Sequence, residues 1–554
     1  MVDRRGPKTT LAWDTLPGGG GGNGRRTDDV LLTNGRIYTL DDGDTVVDTL
    51  VVRDGRIAFA GGRSAVNAAP GEVTIDLEGR AVLPGLVDAH GHLMHLARAR
   101  LSFDARGFAS EDDVARRIGE RAATRPRGEW ITGRNWDQNL WPGRAFPSKA
   151  SLDRVAPDHP VALVRIDGHA TWANSAALAA VGIDRATADP PGGIIVRDAG
   201  GEATGLLVDA AQRLLQAAEP RPTDAQFDRA VRECIDDCLA VGLTGIHEMG
   251  AELYALASYR RLLERGDFPF RNYVAVAGRS VSTWDHYRQR GPETLGDGRV
   301  VIGALKLLAD GALGSRGAAL HDAYCDDPGN TGLVLVPGEE VERLTLDAGA
   351  LGFQVCVHAI GDRANTLVLD AFERALRRAP RPDHRLRVEH AQILAEPDIA
   401  RFQRLGVLPS MQATHCTSDM PWAAERLGPE RLRGAYAWRS LLTTGVRIAG
   451  GSDFPVESPN PFYGIHAAVT RRPRDGDDPR WQPEQRMTRA EAVRSFTSWN
   501  AFASRQEQRL GSLEPGKQAD LVVLSDDVFT CPEARIPEIR PTLTLVAGEV
   551  VFRA

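Results

Sequence analysis

Residues 82–96 read VLPGLVDAHGHLMHL. An apolar run of strand length passes a Pro-Gly turn signal and then carries His90, His92 and His95 within six positions. In a strand, alternate side chains share a face, so Asp88, His90 and His92 point one way, while His95 falls past the strand and out of register. Two such histidines alone are more often core or surface residues than ligands. What decides between these readings is the company they keep at other strand ends.

Seven further apolar runs are flanked by helical periodicity: GLTGIHEMG, FRNYVAVAG, IGALKLLADG, FQVCVHAIG, LRVEHAQ, VLPSMQ and VRIAGGSD. Eight strand–helix units predict an α/β fold, a TIM (β/α)8 barrel, with its chemistry at the C-terminal strand ends. On that rim His358, His390 and Asp453 join His90 and His92. Imidazole nitrogens with a carboxylate oxygen form the ligand set for Zn²⁺ or a similar divalent metal that keeps a position open for water. The rival reading is a metal-free barrel whose histidines are structural.

Lys306 lies among Ala304, Leu305, Leu307 and Leu308. It is either the partner of Asp310 or Asp88 in an ion pair, or an amine that burial renders neutral and nucleophilic. A neutral amine captures carbon dioxide, and the carbamate is a two-oxygen ligand able to bridge two metal ions.

The rest of the chain frames the barrel. It has 554 residues, 42% hydrophobic and 25% charged, with a net charge of −7. No basic surplus points to nucleic acid or an anionic membrane, so the expected partner is a small-molecule substrate, with a homo-oligomer left open. No apolar run in residues 1–28 matches a secretory signal, and that stretch reads as a flexible tail. Six scattered cysteines fit a reduced cytoplasm, and Cys234 and Cys238 read as buried thiols on one helix face. Alternating segments with NG and DG turns at 29–80, and similar ones within 505–554, predict one small composite β-sandwich built from both ends around a barrel at 81–504. About 150 residues separate the first two barrel strands, so an insertion is expected at about 100–225. Its Trp136, Trp141, His169 and Trp172 either line a lid or pocket wall or pack the insertion's own core.

The stretches PGLVDAHGHL, KLLADGALGSR, HAIGDRA, VEHAQ, GGSDFPVE and LEPGKQADLVVL resemble the metal-dependent amidohydrolase superfamily, in particular its amidohydrolase 3 (YtcJ-like) branch, which includes N-substituted formamide deformylase. The resemblance runs from about residue 29 to 554. It implies metal ligands at His90, His92, His358 and His390, a carboxylated Lys306 and a catalytic Asp453 that also touches the metal. It further implies one or two metals per chain, most simply Zn²⁺.

Secondary candidates follow from position. Arg316, Asp362 and Arg363 lie in loops past strand ends, where they bind substrate, orient ligands or pair with one another. His247 and Glu248 end the second strand, within reach of the pocket. Glu389 is expected on the outward face of its strand, in a packing role, and Cys356 as a small buried thiol.

The expected function is metal-assisted hydrolysis of a non-peptide amide or formamide-type C–N bond, with Asp453 as base and then acid. Hydrolysis of an ester, lactone or heterocycle C–N bond, and a regulatory barrel without turnover, are the alternatives.

Overall fold

The computed structural model describes residues 29–66, 73–166, 169–220, 222–474 and 481–554. The expected tail at 1–28 lies outside the described residues. Eight strands succeed one another in chain order: β1 Leu86–Gly91, β2 Leu243–Ala251, β3 Arg271–Ala277, β4 Val300–Leu308, β5 Gln354–Ala359, β6 Arg387–His390, β7 Leu408–Gln412 and β8 Ala449–Gly451. Each pairs in parallel with the next. The loop after β8 meets β1, where Asp453 N–H donates to His90 O at 2.6 Å and His92 N–H to Phe454 O at 2.9 Å. The result is the expected (β/α)8 barrel.

The barrel strands are apolar on both faces because both faces are covered. Helix Asp362–Arg378 buries Ala364, Val368, Leu369, Ala371, Phe372 and Ala375, a helical period, and carries Arg377 and Arg378 in its last turn, where the helix dipole favours cations. Inside the barrel, Met249, Tyr273, Ala275, Ala304 and Cys356 form one apolar cluster. Small residues make room for the Tyr273 ring: a Cβ on Gly303 would meet it at 2.9 Å.

Strands from both ends of the described chain share a second sheet, in the order Glu549–Arg553, Pro541–Val546, Leu521–Leu524, Ala81–Pro84, Val30–Tyr38, Val46–Arg53, Arg56–Gly61, with Val73–Asp76 beside Val30–Tyr38. The last strand of that order bonds back to the segment preceding Leu521–Leu524, through Ile57 N–H to Lys517 O and Ala519 N–H to Gly55 O, both 2.9 Å. The sheet thus curls around one apolar cluster that includes Leu32, Ile37, Leu50, Val82, Val523 and Leu543. A buried Arg271–Asp520 ion pair ties it to the start of β3.

The chain divides into two compact units, one of Met1–Met94 with Arg232–Ala554 and one of His95–Val231. The second unit has its own six-stranded sheet, running from Gly193–Arg197 through Ala203–Asp209, Ala170–Ala173, Val161–Arg165 and Ile131–Trp136 to Phe103–Asp104. Trp136, Trp141 and Trp172 pack together in one of its cores. Cys234, Cys238 and Cys356 are buried. Among the described residues, no helix is long and apolar enough to cross a membrane.

Candidate metal centre and active site

The first ligands are placed by a latch between β1 and the end of β8. The buried Asp88 carboxylate accepts from His90 N at 2.9 Å, from Ser452 N at 3.1 and 3.0 Å, and from Ser452 Oγ at 2.6 Å. Burial pushes this carboxyl up to about 7. The latch requires backbone to lie against backbone. A Cβ on Gly451 would sit 2.6 Å from both Asp88 Oδ1 and His90 N, so only glycine fits.

His90 and His390 are presented with fixed ring orientations. His90 Nδ1 lies 2.6 Å from Glu389 Oε2, and His390 Nδ1 lies 2.8 Å from Gln412 Oε1. Glu389 and Gln412 accept hydrogen bonds from the Nδ1–H groups, so each ring turns an Nε2 lone pair inward. Burial pushes His90 down to about 3, helped by the nearby Lys306, and holds His390 well below its ordinary value, helped by His358 and His90. Both rings are therefore neutral, the form that binds metal.

Asp453 supplies the carboxylate. It adopts a left-handed backbone conformation, φ 60°, and its Oδ1 lies 2.9 Å from His92 Nε2 and 3.6 Å from His90 Nε2. Burial alone would raise this carboxyl, but the His92 hydrogen bond and the surrounding imidazoles of His90, His390 and His92 reverse the effect and hold it well below the usual range. Ligand atoms of His90, His390 and Asp453 all lie within 4.8 Å of one another. Two oriented lone pairs and one ionised carboxylate at that spacing fit a divalent cation.

Lys306 and His358 border this trio. Lys306 Nζ is 3.3 Å from His90 Nε2, and burial lowers its amine against the opposing pull of Glu389 and Asp453. Neither expected ion-pair partner is spent on it. Asp88 serves the latch, and Asp310 accepts backbone N–H groups from Ala319, Ile360 and Gly361 at 2.8–3.0 Å. The His358 ring lies 4.5 Å from that of His390, with its Nε2 turned to Asp310 Oδ1 at 3.3 Å and Gly311 O at 3.4 Å.

Beneath the ligands lies a polar network that sequence reasoning did not anticipate. Glu389 does not face outward. His390 and Ala391 have φ of 72° and 44°, which breaks the strand's alternation, so Glu389 and His390 both reach the centre. Arg387, fully buried, meets Glu389 at 2.8 and 3.0 Å and also bonds Ala89 O, Ser410 Oγ and His247 Nδ1 at 2.8–2.9 Å. Burial opposes the Glu389 charge, yet Arg387 and His90 hold its carboxyl well below the ordinary range. A charge pair inside an apolar strand, RVEH, is the signal that could have revealed it. Of the neighbouring pair on β2, His247 faces this network, whereas Glu248 accepts from Leu93 N at 2.7 Å and Met94 N at 3.3 Å, pinning the turn after His92.

The other sequence candidates are spent elsewhere. Trp136 is 0% exposed, with its Nε1 donating to Leu163 O at 2.7 Å, so the ring packs a core and is not a pocket wall. His169 is exposed and meets Asp209 at 2.8 Å. Arg316 pairs with Asp326 at 2.8 Å and not with Asp362. Asp362 accepts from His321 N and Arg363 N, and Arg363 donates to Thr331 O at 3.3 Å. His95 lies exposed on helix Leu93–Leu101. A further imidazole, His415, reaches the rim from helix Ala413–Asp419 after β7, three residues beyond the stretch that marks that strand in the sequence.

A parallel eight-stranded barrel whose strand ends hold oriented imidazoles, a carboxylate and a buried lysine defines a metal-dependent hydrolase of the amidohydrolase superfamily. The chain belongs to the amidohydrolase family, whose profile matches residues 73–552. It is similar to the putative amidohydrolase YtcJ of Bacillus subtilis (strain 168), at 36% identity over 94% of this chain and 98% of that one. It is also similar to the N-substituted formamide deformylase of Arthrobacter pascens, at 32% identity over 94% and 97%. Among solved structures, an uncharacterized metal-dependent hydrolase from Pyrococcus horikoshii OT3 superposes with a TM-score of 0.76 at 27% identity, covering 91% of this chain and 99% of that one.

Proposed function

We propose that this chain hydrolyses a non-peptide carbon–nitrogen bond in a small amide or formamide-type molecule. Zn²⁺ or a similar divalent cation, one or two per chain, would be held by His90, His92, His358, His390, Lys306 and Asp453. The observation that carries the reading is the ionised Asp453 carboxylate set against His90, His92 and His390 at the mouth of a parallel barrel. The choice of a C–N bond is supported by the similarity to the Arthrobacter pascens formamide deformylase.

When bound, the cation supplies Lewis acidity, bringing the pKa of water toward ~7 and polarising the substrate carbonyl. The protein residues carry the proton. Asp453, kept ionised by its imidazole neighbours, accepts a proton from the attacking water and returns it to the leaving nitrogen. Glu389 and Gln412 hold the His90 and His390 tautomers throughout. We assign N-carboxylation to Lys306: burial favours the uncharged form of its amine, which adds to carbon dioxide with loss of a proton, giving an anionic carbamate where an ammonium would repel the metal.

The test is a panel of N-substituted formamides and simple amides, with carboxylate and amine both measured as products. Metal-loaded protein should release the two in equal amounts, and chelated protein neither. Asp453→Asn should keep most of the metal and lose roughly 10²-fold or more in turnover. Full activity after metal removal, or cleavage of esters with no amide cleaved, would overturn the proposal.

A further inference from the structure

His415 offers an imidazole nitrogen at the rim that the proposed chemistry does not use. Its ring lies parallel to that of His390, 6.0 Å away and tilted by 8°. Its Nε2 is buried without a hydrogen bond and faces Asp453 Oδ2 at 3.9 Å. The other Asp453 oxygen is engaged by His92. A gap of 3.9 Å is too long for a hydrogen bond but suits two groups that contact one common atom. The helix carrying His415 is firmly held, because Asp419, one turn on, accepts from Tyr436 OH at 2.6 Å and Gln392 Nε2 at 2.7 Å.

We propose that His415 Nε2 binds the N–H of the scissile nitrogen and so selects secondary amides, R–CO–NH–R′, over tertiary amides and esters. This rests on the reading that the bond broken is a C–N bond. After water adds to the carbonyl carbon, the nitrogen carries that carbon, its substituent R′, one N–H and one lone pair. The lone pair must take the proton from Asp453. The C–N bond then breaks with its electron pair going to nitrogen, giving R–COOH and R′–NH₂. Holding the N–H on Nε2 turns the lone pair toward Asp453 Oδ2, which is the geometry the 3.9 Å gap provides. A tertiary amide or an ester has no N–H to offer and leaves a buried nitrogen unpaired, the situation in which enzymes discriminate most strongly.

The experiment uses metal-loaded full-length protein and a matched series: a secondary amide, its N-methyl tertiary amide and the ester of the same acyl group, with kcat and KM measured separately. Wild type should favour the secondary amide. His415→Phe retains a ring against His390 but no acceptor. It should lower kcat/KM for the secondary amide by roughly 10- to 100-fold, leave the other two within about twofold, and keep wild-type metal content. His415→Gln, with a polar atom near the Nε2 position, should recover part of the preference. Equal losses on all three substrates, or loss of metal in His415→Phe, would overturn the proposal, as would an unaffected secondary amide. A wild type that cleaves secondary and tertiary amides equally well overturns the His415 role and leaves the C–N reading standing. A wild type that cleaves the ester but neither amide overturns the C–N reading itself.

Discussion

Replacing Glu389 by glutamine isolates what lies beneath the ligands. The exchange keeps an oxygen for His90 Nδ1, 2.6 Å away in the native protein, but deletes the carboxylate that Arg387 meets at 2.8 and 3.0 Å. Arg387 then retains only Ala89 O, Ser410 Oγ and the neutral His247, so a guanidinium with 0% exposure loses its counter-charge. Breaking a buried pair from one side costs about 3–5 kcal/mol. Disturbing the outer partner of a ligating histidine costs a further 10- to 100-fold or so in metal affinity. Metal affinity is read by competition with a chromophoric chelator, and stability by urea unfolding of metal-free protein. Glu389→Gln should bind metal at least tenfold more weakly and unfold at lower urea. The double variant Glu389→Gln/Arg387→Met should recover stability, because the stranded cation is gone, while metal binding stays weak. An affinity and an unfolding midpoint both matching wild type would refute the idea that this pair positions His90.

Lys306→Ala should lose metal along with activity, and a short carboxylic acid added to the buffer should restore part of both. A mass matching unmodified lysine in fully metal-loaded protein would contradict carboxylation. In metal-free protein, two buried groups on β1 pull stability in opposite directions. His90 is lowered to about 3 from 6.5, so between those values the unfolded chain binds the extra proton and stability falls as pH drops. Asp88 is raised to about 7 from 3.8, so the folded chain holds the extra proton there and stability falls as pH rises. Asp88→Asn removes the second slope, and the variant's melting temperature should climb more steeply than wild type from about pH 4 to about pH 6. Identical slopes would count against these assignments. Trp136→Ala should cost about 3–5 kcal/mol of stability without changing metal content, as calorimetry and metal analysis would report, because the ring fills a core.

The barrel was legible because its signals are local. Each strand is an apolar run bounded by Gly or polar residues, and a rim follows once eight such runs are aligned. His90, His92, His358, His390 and Asp453 stand at run ends, where parallel strands converge. Direction was harder to read than position. Period-two reasoning from His390 turns Glu389 outward, but Glu389 shares its face with Arg387, and the positive φ at His390 brings that ring to the centre as well. Gln412 lies inside the run that marks β7 and His415 three residues past it, yet neither carries a signal of its own, since their roles depend on what faces them across the barrel. Arg316, Asp362 and Trp136 show the limit from the other side. A residue type suited to a pocket says nothing about whether Asp326, a backbone amide or another tryptophan has already claimed it.

The shared small sheet also sets a timetable for the ribosome. Strand Ala81–Pro84 leads directly into β1, yet its antiparallel neighbour is Leu521–Leu524, over four hundred residues later, and Asp520 closes on Arg271 across 249 positions. At about 5–20 residues per second, translation takes roughly 20 s or more to bridge that distance. Throughout that interval the nascent chain carries an unpaired edge at Ala81–Pro84, and over the later stretch between Arg271 and Asp520 it also carries an uncompensated cation. The chain can assemble early barrel units as they emerge, but it cannot seal them, which makes a waiting, chaperone-accessible intermediate an intrinsic stage in its synthesis.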